Sequence, residues 1–175
     1  MIEIREIDEA HQADIRLPNE PFPLTGRLIV TRNEEAWHYR VSGNETAGEM
    51  CFPDENYDYA AMRAEGTVFL GAYDGDRCVG LAILQPGFFK YLYLYDLKVN
   101  RACRGQHVGR QLIEQAAQLA LRQGYRGLYT QGQDNNLNAC LFYLATGFVI
   151  GGLDTQVYRG TRQEEKSDIL FYLDA

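Results

Sequence analysis

Arginine, glutamine, histidine and glycine residues are concentrated between Arg104 and Gly109, where a helix is predicted to begin. A helix start leaves backbone N–H groups unpaired and carries partial positive charge, and glycine lets an anion approach that backbone closely. The segment therefore predicts a site for a phosphate or diphosphate group. The sequence contains no GxxxxGK[ST] and no GxGxxG after a strand, which excludes a P-loop and a dinucleotide fingerprint. An ordinary strand–loop–helix connection remains the alternative.

The elements that must position this loop are an apolar strand before it and an amphipathic helix after it. The strand is predicted to end at Val99, and the loop covers residues 100–106. The helix places its apolar residues on one face, the pattern of a helix packed on a core. These residues are Val108, Leu112, Ile113, Ala116, Leu119 and Ala120.

Other elements follow from turn signals and periodicity. Asp74-Gly75 between two apolar runs predicts a hairpin. The three prolines of residues 18–23 predict a break in regular structure. Further strands are predicted at 2–7, 26–30, 36–41, 127–130, 148–157 and 169–173. Further helices are predicted at 9–15, after Pro53-Asp54 up to a stop at Gly66, and at 137–145, the last closed by Gly147.

Composition indicates one globular domain over residues 1–175, since 46% of the 175 residues are hydrophobic. The net charge of −7 disfavours nucleic acid and anionic membranes as partners and is compatible with a small cationic substrate, although solubility alone also explains it. Four cysteines without CxxC or zinc-like spacing predict no metal and favour the cytoplasm. The charged first residues do not resemble a signal peptide, and no apolar run is long enough to cross a bilayer.

Two segments together resemble the GNAT acetyltransferases. Arg104-Gly105-Gln106-His107-Val108-Gly109 is similar to the R/Q-x-x-G-x-G/A signature, with His107 where the family usually has its first glycine. Residues 136–143, followed by Gly147-Phe148, are similar to the signature N-x-x-A-x-x-hydrophobic-Tyr and Gly-Phe. The resemblance implies an α/β (α+β mixed) fold, in which helices flank a twisted mixed sheet and acetyl-CoA binds between splayed central parallel strands.

A narrower resemblance, to streptothricin acetyltransferases, extends over most of the chain. It is carried by Pro18-Asn19-Glu20-Pro21-Phe22, Gly26-Arg27, Gln131 to Asn136, Ala139-Cys140, Gly152-Leu153-Asp154-Thr155 and Tyr158. It implies an N-acetyltransferase that acetylates an amine on the β-lysine arm of streptothricin and so gives antibiotic resistance. Another small amine, such as a polyamine or an aminoglycoside, and a noncatalytic CoA-binding sensor are the alternatives.

The resemblance also assigns residues to the coenzyme. Amides of a bulged central strand, at Leu97 and Val99, would polarise the thioester carbonyl, and Asn136 would contact the pantetheine arm. Charge from Arg101 or Arg104 would add to the loop, or these arginines would be solvated surface residues. The amides expected around the diphosphate belong to Arg104, Gly105, Gln106, His107, Val108, Gly109 and Arg110.

For the chemistry, the resemblance makes Tyr143 the general acid for the departing thiolate. Asp96 is the preferred base, with a structural bond near the bulge as its alternative role, and Asp134 is the next candidate, while Glu20 and Asp154 are expected to bind the substrate. Asp54, Glu55 and Asp58 lie in segments that could line an acceptor cleft, but are expected by default to be solvated surface acids. Direct attack in a ternary complex is favoured over an acyl-enzyme on Cys140, since no histidine has an evident pairing role. The C-terminal strands leave a homodimer open.

Overall fold

The computed structural model of the chain describes residues 1–87 and 89–175. Within them the chain forms strands, α-helices and two 3₁₀ helices. In chain order they are β1 (Ile2–Glu6), a 3₁₀ helix (Glu9–Arg16), β2 (Phe22–Arg32), β3 (Trp37–Met50), α1 (Tyr59–Ala64), β4 (Val68–Asp74), β5 (Arg77–Gln85), β6 (Tyr91–Val99), a 3₁₀ turn (Arg101–Cys103), α2 (Val108–Arg122), β7 (Gly127–Gln133), α3 (Leu137–Ala145), β8 (Val149–Asp154) and β9 (Asp168–Asp174).

Internal contacts divide the chain into two compact units. The first comprises Met1–Glu20, Cys51–Leu128 and Asp174–Ala175, and the second comprises Pro21–Met50 and Tyr129–Leu173. Each unit is assembled from segments that are distant in sequence. The single domain expected over residues 1–175 stays a prediction.

The first unit contains four strands in the order β1-β4-β5-β6, and every neighbouring pair is antiparallel. The predicted hairpin joins β4 to β5, where Asp74 pairs with Arg77 across a two-residue loop. Gly75 opens that loop with a φ of 60°, a left-handed conformation that glycine adopts without steric cost. The local turn signal therefore identified this hairpin correctly.

Helix α2 packs on the strands of the first unit through the predicted face. Leu112, Ile113, Ala116 and Ala120 are buried together with Val108, whereas Leu119 is only half-buried. A side chain at Gly80 of β5 would come within 3.2 Å of Leu112, so this glycine allows the helix to approach the strand closely.

A second buried cluster holds the N-terminal segment of the first unit in place. Ile7, Ile15, Phe69, Leu81 and Ile83 form it, and partly buried side chains that include Tyr57 pack against it. Because this cluster lies on strands β4 and β5, it anchors the segment before α1 beside the sheet. The anchored segment includes Tyr57, which contacts Asp96 of β6.

The second unit contains the antiparallel hairpin β2–β3 and three strands in the order β7-β9-β8. Two sequence predictions are wrong here. Strand β2 begins at Phe22 and includes Pro23, because a hairpin arm tolerates a proline that donates no hydrogen bond. Strand β3 continues to Met50 rather than ending near residue 41, because pairing with β2 extends a weakly patterned sequence.

Helix α3 has the predicted bounds and packs on β2. The Asn136 side chain accepts a hydrogen bond from the Ala139 amide and caps its first turn. Gly147 follows the helix with a φ of 98°, as expected of a glycine that terminates a helix. Leu137, Cys140 and Tyr143 are its buried residues.

Candidate functional site

The predicted phosphate loop of the first unit connects β6 to α2. His107 is the residue before the first helical turn and has a left-handed backbone, with φ 62° and ψ 10°. Residues 104–107 form a hydrogen-bonded turn and α2 begins at Val108, so the N–H groups of its first helical turn have no partner within the helix. Unpaired donors at the start of a helix fit a diphosphate, so the loop suits the group that the sequence predicts.

We expect His107→Gly to be more stable than His107→Ala by about 0.5–1 kcal/mol. A left-handed conformation strains a residue with a Cβ by about 1–2 kcal/mol, and the extra freedom of glycine in the unfolded chain offsets part of that. Both variants lack the exposed imidazole, so their difference isolates the backbone. Urea unfolding measures it, and an alanine variant at least as stable as the glycine variant would contradict the expectation.

Side chains of the loop brace it from within the first unit. The Arg104 Nε group donates to the Val99 carbonyl at 3.0 Å, and the Gln106 side-chain amide donates to the Ala102 carbonyl at 2.9 Å. Glu20, which the sequence predicts to bind substrate, accepts the Arg101 amide and lies 4.0 Å from Arg104. Glu20 therefore helps to shape the turn into the phosphate loop.

Strand β6 contains the bulge that the family resemblance implies. Ile83 of β5 pairs with Asp96 and Leu84 pairs with Leu94, so Tyr95 is the extra residue of β6. The predicted carbonyl-polarising residues, Leu97 and Val99, come after this bulge. Bulges re-aim neighbouring side chains, and here the bulge immediately precedes the predicted base.

Asp96 is mostly buried, with 17% of its side chain exposed. The Tyr57 hydroxyl donates to its Oδ2 atom at 2.9 Å, and the Lys98 ammonium is 3.3 Å from the same oxygen. Burial raises the pKa of this carboxyl, while Lys98 and the Tyr57 hydrogen bond oppose the rise. A carboxyl with a raised pKa is a better proton acceptor than a solvated one.

Three acids expected on the solvated surface have defined contacts, although Asp54 and Asp58 are exposed as expected and only Glu55 is half-buried. Asp54 accepts the Asn19 amide, Asp58 caps α1 through the Ala61 amide, and Glu55 pairs with Lys98. The partners of Asp54 and Glu55 cannot be identified from residue type, because they come from distant segments, whereas Asp58 caps the helix that begins at the next residue. Glu55 and Lys98 in particular gave no sequence signal.

In the second unit, the Tyr143 ring is buried among aromatic residues. Its centroid lies 5.3 Å from those of Phe148 and Phe171 and 5.7 Å from that of Phe142. Such packing fixes the direction of the ring and hence of its hydroxyl. The predicted general acid therefore occupies a rigid position in its unit.

Two side-chain oxygens near the start of α3 are buried and accept no hydrogen bond from the residues described. They belong to Gln133 and Asn135. Asn136, the predicted pantetheine ligand, uses its own oxygen to cap the helix. The amide-rich arm of the coenzyme carries N–H donors that match unpaired acceptors, so Asn135 joins Asn136 as a candidate that the sequence reasoning missed.

Asp134, the second candidate base, is part of a structural crosslink in the second unit. Its carboxylate is 3.0 Å from Arg27 and also accepts the Ser167 amide, while its carbonyl accepts the Leu28 amide. These partners hold the Asp134 carboxylate in a fixed position. Its contacts support a structural role rather than proton transfer.

Asp154, the other predicted substrate residue, lies directly opposite Asp168 across β8 and β9. Asp154 accepts the amides of Gln156 and Val157, and buried Asp168 accepts the Tyr158 hydroxyl at 2.8 Å. Burial raises the pKa of Asp168, with nearby Asp154 contributing in the same direction. Like charges in this register are unfavourable. Asp168 was missed because only the strand register reveals the pairing.

The buried thiol of Cys140 donates to the Gln133 carbonyl at 3.4 Å. Burial raises its pKa to about 12. Since the thiolate is the nucleophilic form, this environment argues against an acyl-enzyme on Cys140.

Within the described residues, His, Cys, Asp and Glu side chains form no group of three that could hold a metal ion. No helix in the same part of the chain combines the length and apolarity of a membrane-spanning segment.

A bulged strand followed by a loop and a helix start, as in the first unit, suits a diphosphate-containing cosubstrate. Residues 32–148 match the Acetyltransferase (GNAT) family. The chain therefore belongs to the GNAT acetyltransferase family. This membership confirms the predicted enzyme class, N-acetyltransferase, and the predicted acyl donor, acetyl-CoA.

Relatives of known name are similar over different lengths. Streptothricin acetyltransferase A of Bacillus subtilis (strain 168) is 27% identical over 97% of this chain and 98% of its own. The streptothricin acetyltransferase of Streptomyces lavendulae is 32% identical over 65% of this chain and 63% of its own.

Solved structures show the same fold. A candidate streptothricin acetyltransferase from Bacillus anthracis str. Ames, in complex with acetyl coenzyme A, matches with a TM-score of 0.88 and 27% identity, covering 100% of this chain and 99% of that one. Nourseothricin acetyltransferase matches in fold with a TM-score of 0.81 and 22% identity, over 99% and 98% of the two chains. The predicted mixed α/β fold is thus confirmed, with a mostly antiparallel sheet that contains a parallel pair and is flanked by helices.

Proposed function

We propose that the chain transfers an acetyl group from acetyl-CoA to an amine on the β-lysine arm of streptothricin, and thereby inactivates the antibiotic. The observation that carries this proposal is the similarity to Streptothricin acetyltransferase A over 97% of the chain. The net charge of −7 supports a cationic acceptor, since acidic proteins attract cations over a distance.

On the donor side, acetyl-CoA supplies an acyl carbonyl activated as a thioester. The N–H groups at the start of α2 hold its diphosphate, and Asn136 contacts the arm. The amides of Leu97 and Val99 stabilise the negative charge that develops on the carbonyl oxygen. The diphosphate residues are Arg104, Gly105, Gln106, His107, Val108, Gly109 and Arg110.

On the acceptor side, a lysine-like amine has an ordinary pKa of about 10.4 and is charged at neutral pH. Asp96 takes its proton, and the nitrogen lone pair then attacks the carbonyl carbon. As the new C–N bond forms, the C–S bond breaks and its electron pair leaves with the sulfur, which Tyr143 protonates. Direct transfer of this kind draws on positioning, which contributes about 7–11 kcal/mol in favourable geometry.

Binding of the cationic substrate is assigned to carboxylates other than the base. Glu20 and Asp154 are the proposed contacts, and the register of β8 and β9 adds Asp168 beside Asp154. A carboxylate that binds the ammonium stabilises its charged form, so the group that binds and the group that removes the proton must differ. Neutralisation by a cation would also relieve the repulsion between Asp154 and Asp168.

The decisive experiment is acetyl transfer by the purified protein to streptothricin, a polyamine and an aminoglycoside in parallel. We expect turnover on streptothricin with the highest kcat/KM, and mass spectrometric fragmentation to locate the acetyl group on the β-lysine arm. Turnover confined to a polyamine or an aminoglycoside would reassign the acceptor. Calorimetry that detects no uptake of coenzyme A at millimolar concentration would overturn the donor site as well.

A further inference from the structure

Four polar side chains of the first unit are linked to the proposed base, and only the base itself has a role so far. Asn19 follows the N-terminal 3₁₀ helix, Glu55 and Tyr57 precede α1, and Asp96 and Lys98 lie on β6. Their hydrogen bonds and ion pairs form one connected network. We call this set the Asp96 network.

Lys98 is the central cation of the Asp96 network, with 8% of its side chain exposed. Its ammonium lies 2.5 Å from Glu55 Oε2 and 3.3 Å from Asp96 Oδ2, and it donates to the Leu17 carbonyl at 3.4 Å. A buried ammonium is expensive unless it is paired and hydrogen-bonded. These partners satisfy Lys98 and fix the position of its charge.

The two oxygens of Asp96 have different surroundings. Tyr57 and Lys98 both contact Oδ2, at 2.9 and 3.3 Å. Oδ1 has no hydrogen-bond partner among the described residues, and it is not among their fully buried unpaired atoms. One oxygen is therefore clamped, while the other remains able to accept a proton.

Glu55 is held in turn by a residue that does not touch Asp96. The Asn19 side-chain amide donates to Glu55 Oε2 at 3.0 Å, the oxygen that pairs with Lys98. Asn19 and Glu55 thus keep the ammonium from moving away from the base. Asn19 therefore holds Glu55, Glu55 holds Lys98, and Lys98 contacts Asp96.

We infer that Lys98 and Tyr57 are positioning residues that hold Asp96 by Oδ2 and present Oδ1 to the proton of the acceptor amine, with Glu55 fixing Lys98. This inference rests on the proposed function, because it assigns Asp96 the role of base. The proton moves from the substrate nitrogen to Oδ1, and no bond to Lys98 or Tyr57 changes. Both residues act through Asp96 alone.

The charged neighbours of Asp96 act on its pKa in opposite directions. Lys98 and the Tyr57 hydroxyl lower it and Glu55 raises it, while burial is the largest contribution and also raises it. On the neighbouring strand β5, the residue paired with Asp96 is the apolar Ile83, which carries no charge. A base works only when ionised, so kcat/KM falls as the pH drops through the pKa of Asp96 in the free enzyme.

The test is the pH dependence of kcat/KM in three variants. Lys98→Met and Tyr57→Phe remove groups that favour the ionised carboxylate. The acid limb of the pH profile, where kcat/KM rises with pH, should therefore move to higher pH. At a fixed pH on that limb, Lys98→Met should lower kcat/KM about ten-fold. Glu55→Gln removes a group that disfavours the ionised form, so the limb should move to lower pH.

Controls separate this role from a merely structural one. Lys90→Met removes an exposed positive charge from the turn before β6, and its acid limb should match that of the wild type. If Lys98→Met does not fold, the Glu55→Gln and Lys98→Met double variant removes both charges together, and Tyr57→Phe preserves the shape of the side chain. Unchanged limbs, or shifts of the same sign in Tyr57→Phe and Glu55→Gln, would overturn the inference.

A second readout does not depend on the acceptor. The carboxyl carbon resonance of Asp96, titrated by NMR, should show the same opposite shifts in the three variants without any substrate. Wild-type protein that transfers no acetyl group would contradict the proposed function, whereas titrations without the opposite signs would contradict the clamp at Oδ2. The two failures are therefore distinguishable.

Discussion

Replacing Tyr143 with phenylalanine should lower kcat by about 10²- to 10⁴-fold, the usual contribution of a positioned proton donor. The ring should keep its place, because Phe142, Phe148 and Phe171 pack against its faces and edges. The substitution removes the proton donor for the departing thiolate, and coenzyme A should bind with unchanged affinity because the ring keeps its place. Steady-state kinetics measure the first effect, and titration calorimetry measures the second.

Tyr129→Phe is the matched control, since it deletes a half-buried tyrosine hydroxyl from the same unit. That hydroxyl accepts a hydrogen bond from Gln131 and has no part in the proposed chemistry. We expect kcat of this variant to stay close to that of the wild type. An unchanged kcat in Tyr143→Phe would remove Tyr143 from the mechanism, and a parallel loss of coenzyme affinity would indicate a binding role.

Gly26→Ala should reduce the free energy of unfolding by about 3 kcal/mol, at the upper end of the usual cost of overpacking. A Cβ at this position of β2 would overlap the Ser42 carbonyl of β3 and lie 3.1 Å from the Leu137 side chain of α3. The clash involves backbone, which cannot move aside as a flexible side chain can. Guanidinium unfolding followed by circular dichroism measures the change.

Gly43→Ala provides the control from the facing strand, because Gly26 and Gly43 are paired directly across the β2–β3 hairpin. A Cβ at Gly43 would meet no atom within 4 Å. The expected change in the free energy of unfolding is within about 0.5 kcal/mol. Equal destabilisation by the two substitutions would mean that strand propensity, rather than the close approach of β3 and α3, sets the cost.

Local signals predicted the two long helices correctly. The buried face of α2 follows from a 3.6-residue period, and the ends of α3 follow from a cap residue and a terminating glycine. These signals lie within a few residues of the structure they specify. The same holds for the hairpin at Gly75, where the turn residues determine the loop.

Strand β3 shows what local reasoning cannot supply. Its second half is rich in glycine, glutamate and polar residues, which favour loops over strands. Pairing with β2 supplies the backbone hydrogen bonds that make the segment a strand. The partner determines the length of β3, and a single-sequence pattern carries no information on partners.

The residues of the candidate site also differ in whether a local signal identifies them. The loop before α2 can be proposed as a phosphate site from sequence alone, because its candidate donors are consecutive residues at a helix start. Asp168 and Lys98 cannot, because Asp168 is identified by its register with Asp154, and Lys98 by ion pairs to acids that include one from a distant segment. The role of Asn136 as a helix cap also depended on local geometry that the spacing of the motif did not distinguish from coenzyme binding.

The different environments of the cysteines bear on how turnover can be recorded. Cys51 is exposed and Cys103 is half-buried, whereas the thiols of Cys78 and Cys140 are buried and have raised pKa values. A disulfide dye that reports the sulfhydryl of liberated coenzyme will also label Cys51 rapidly, while Cys78 and Cys140 remain unlabelled in the folded protein. Substituting serine at Cys51 would lower that background without altering any group assigned to the transfer.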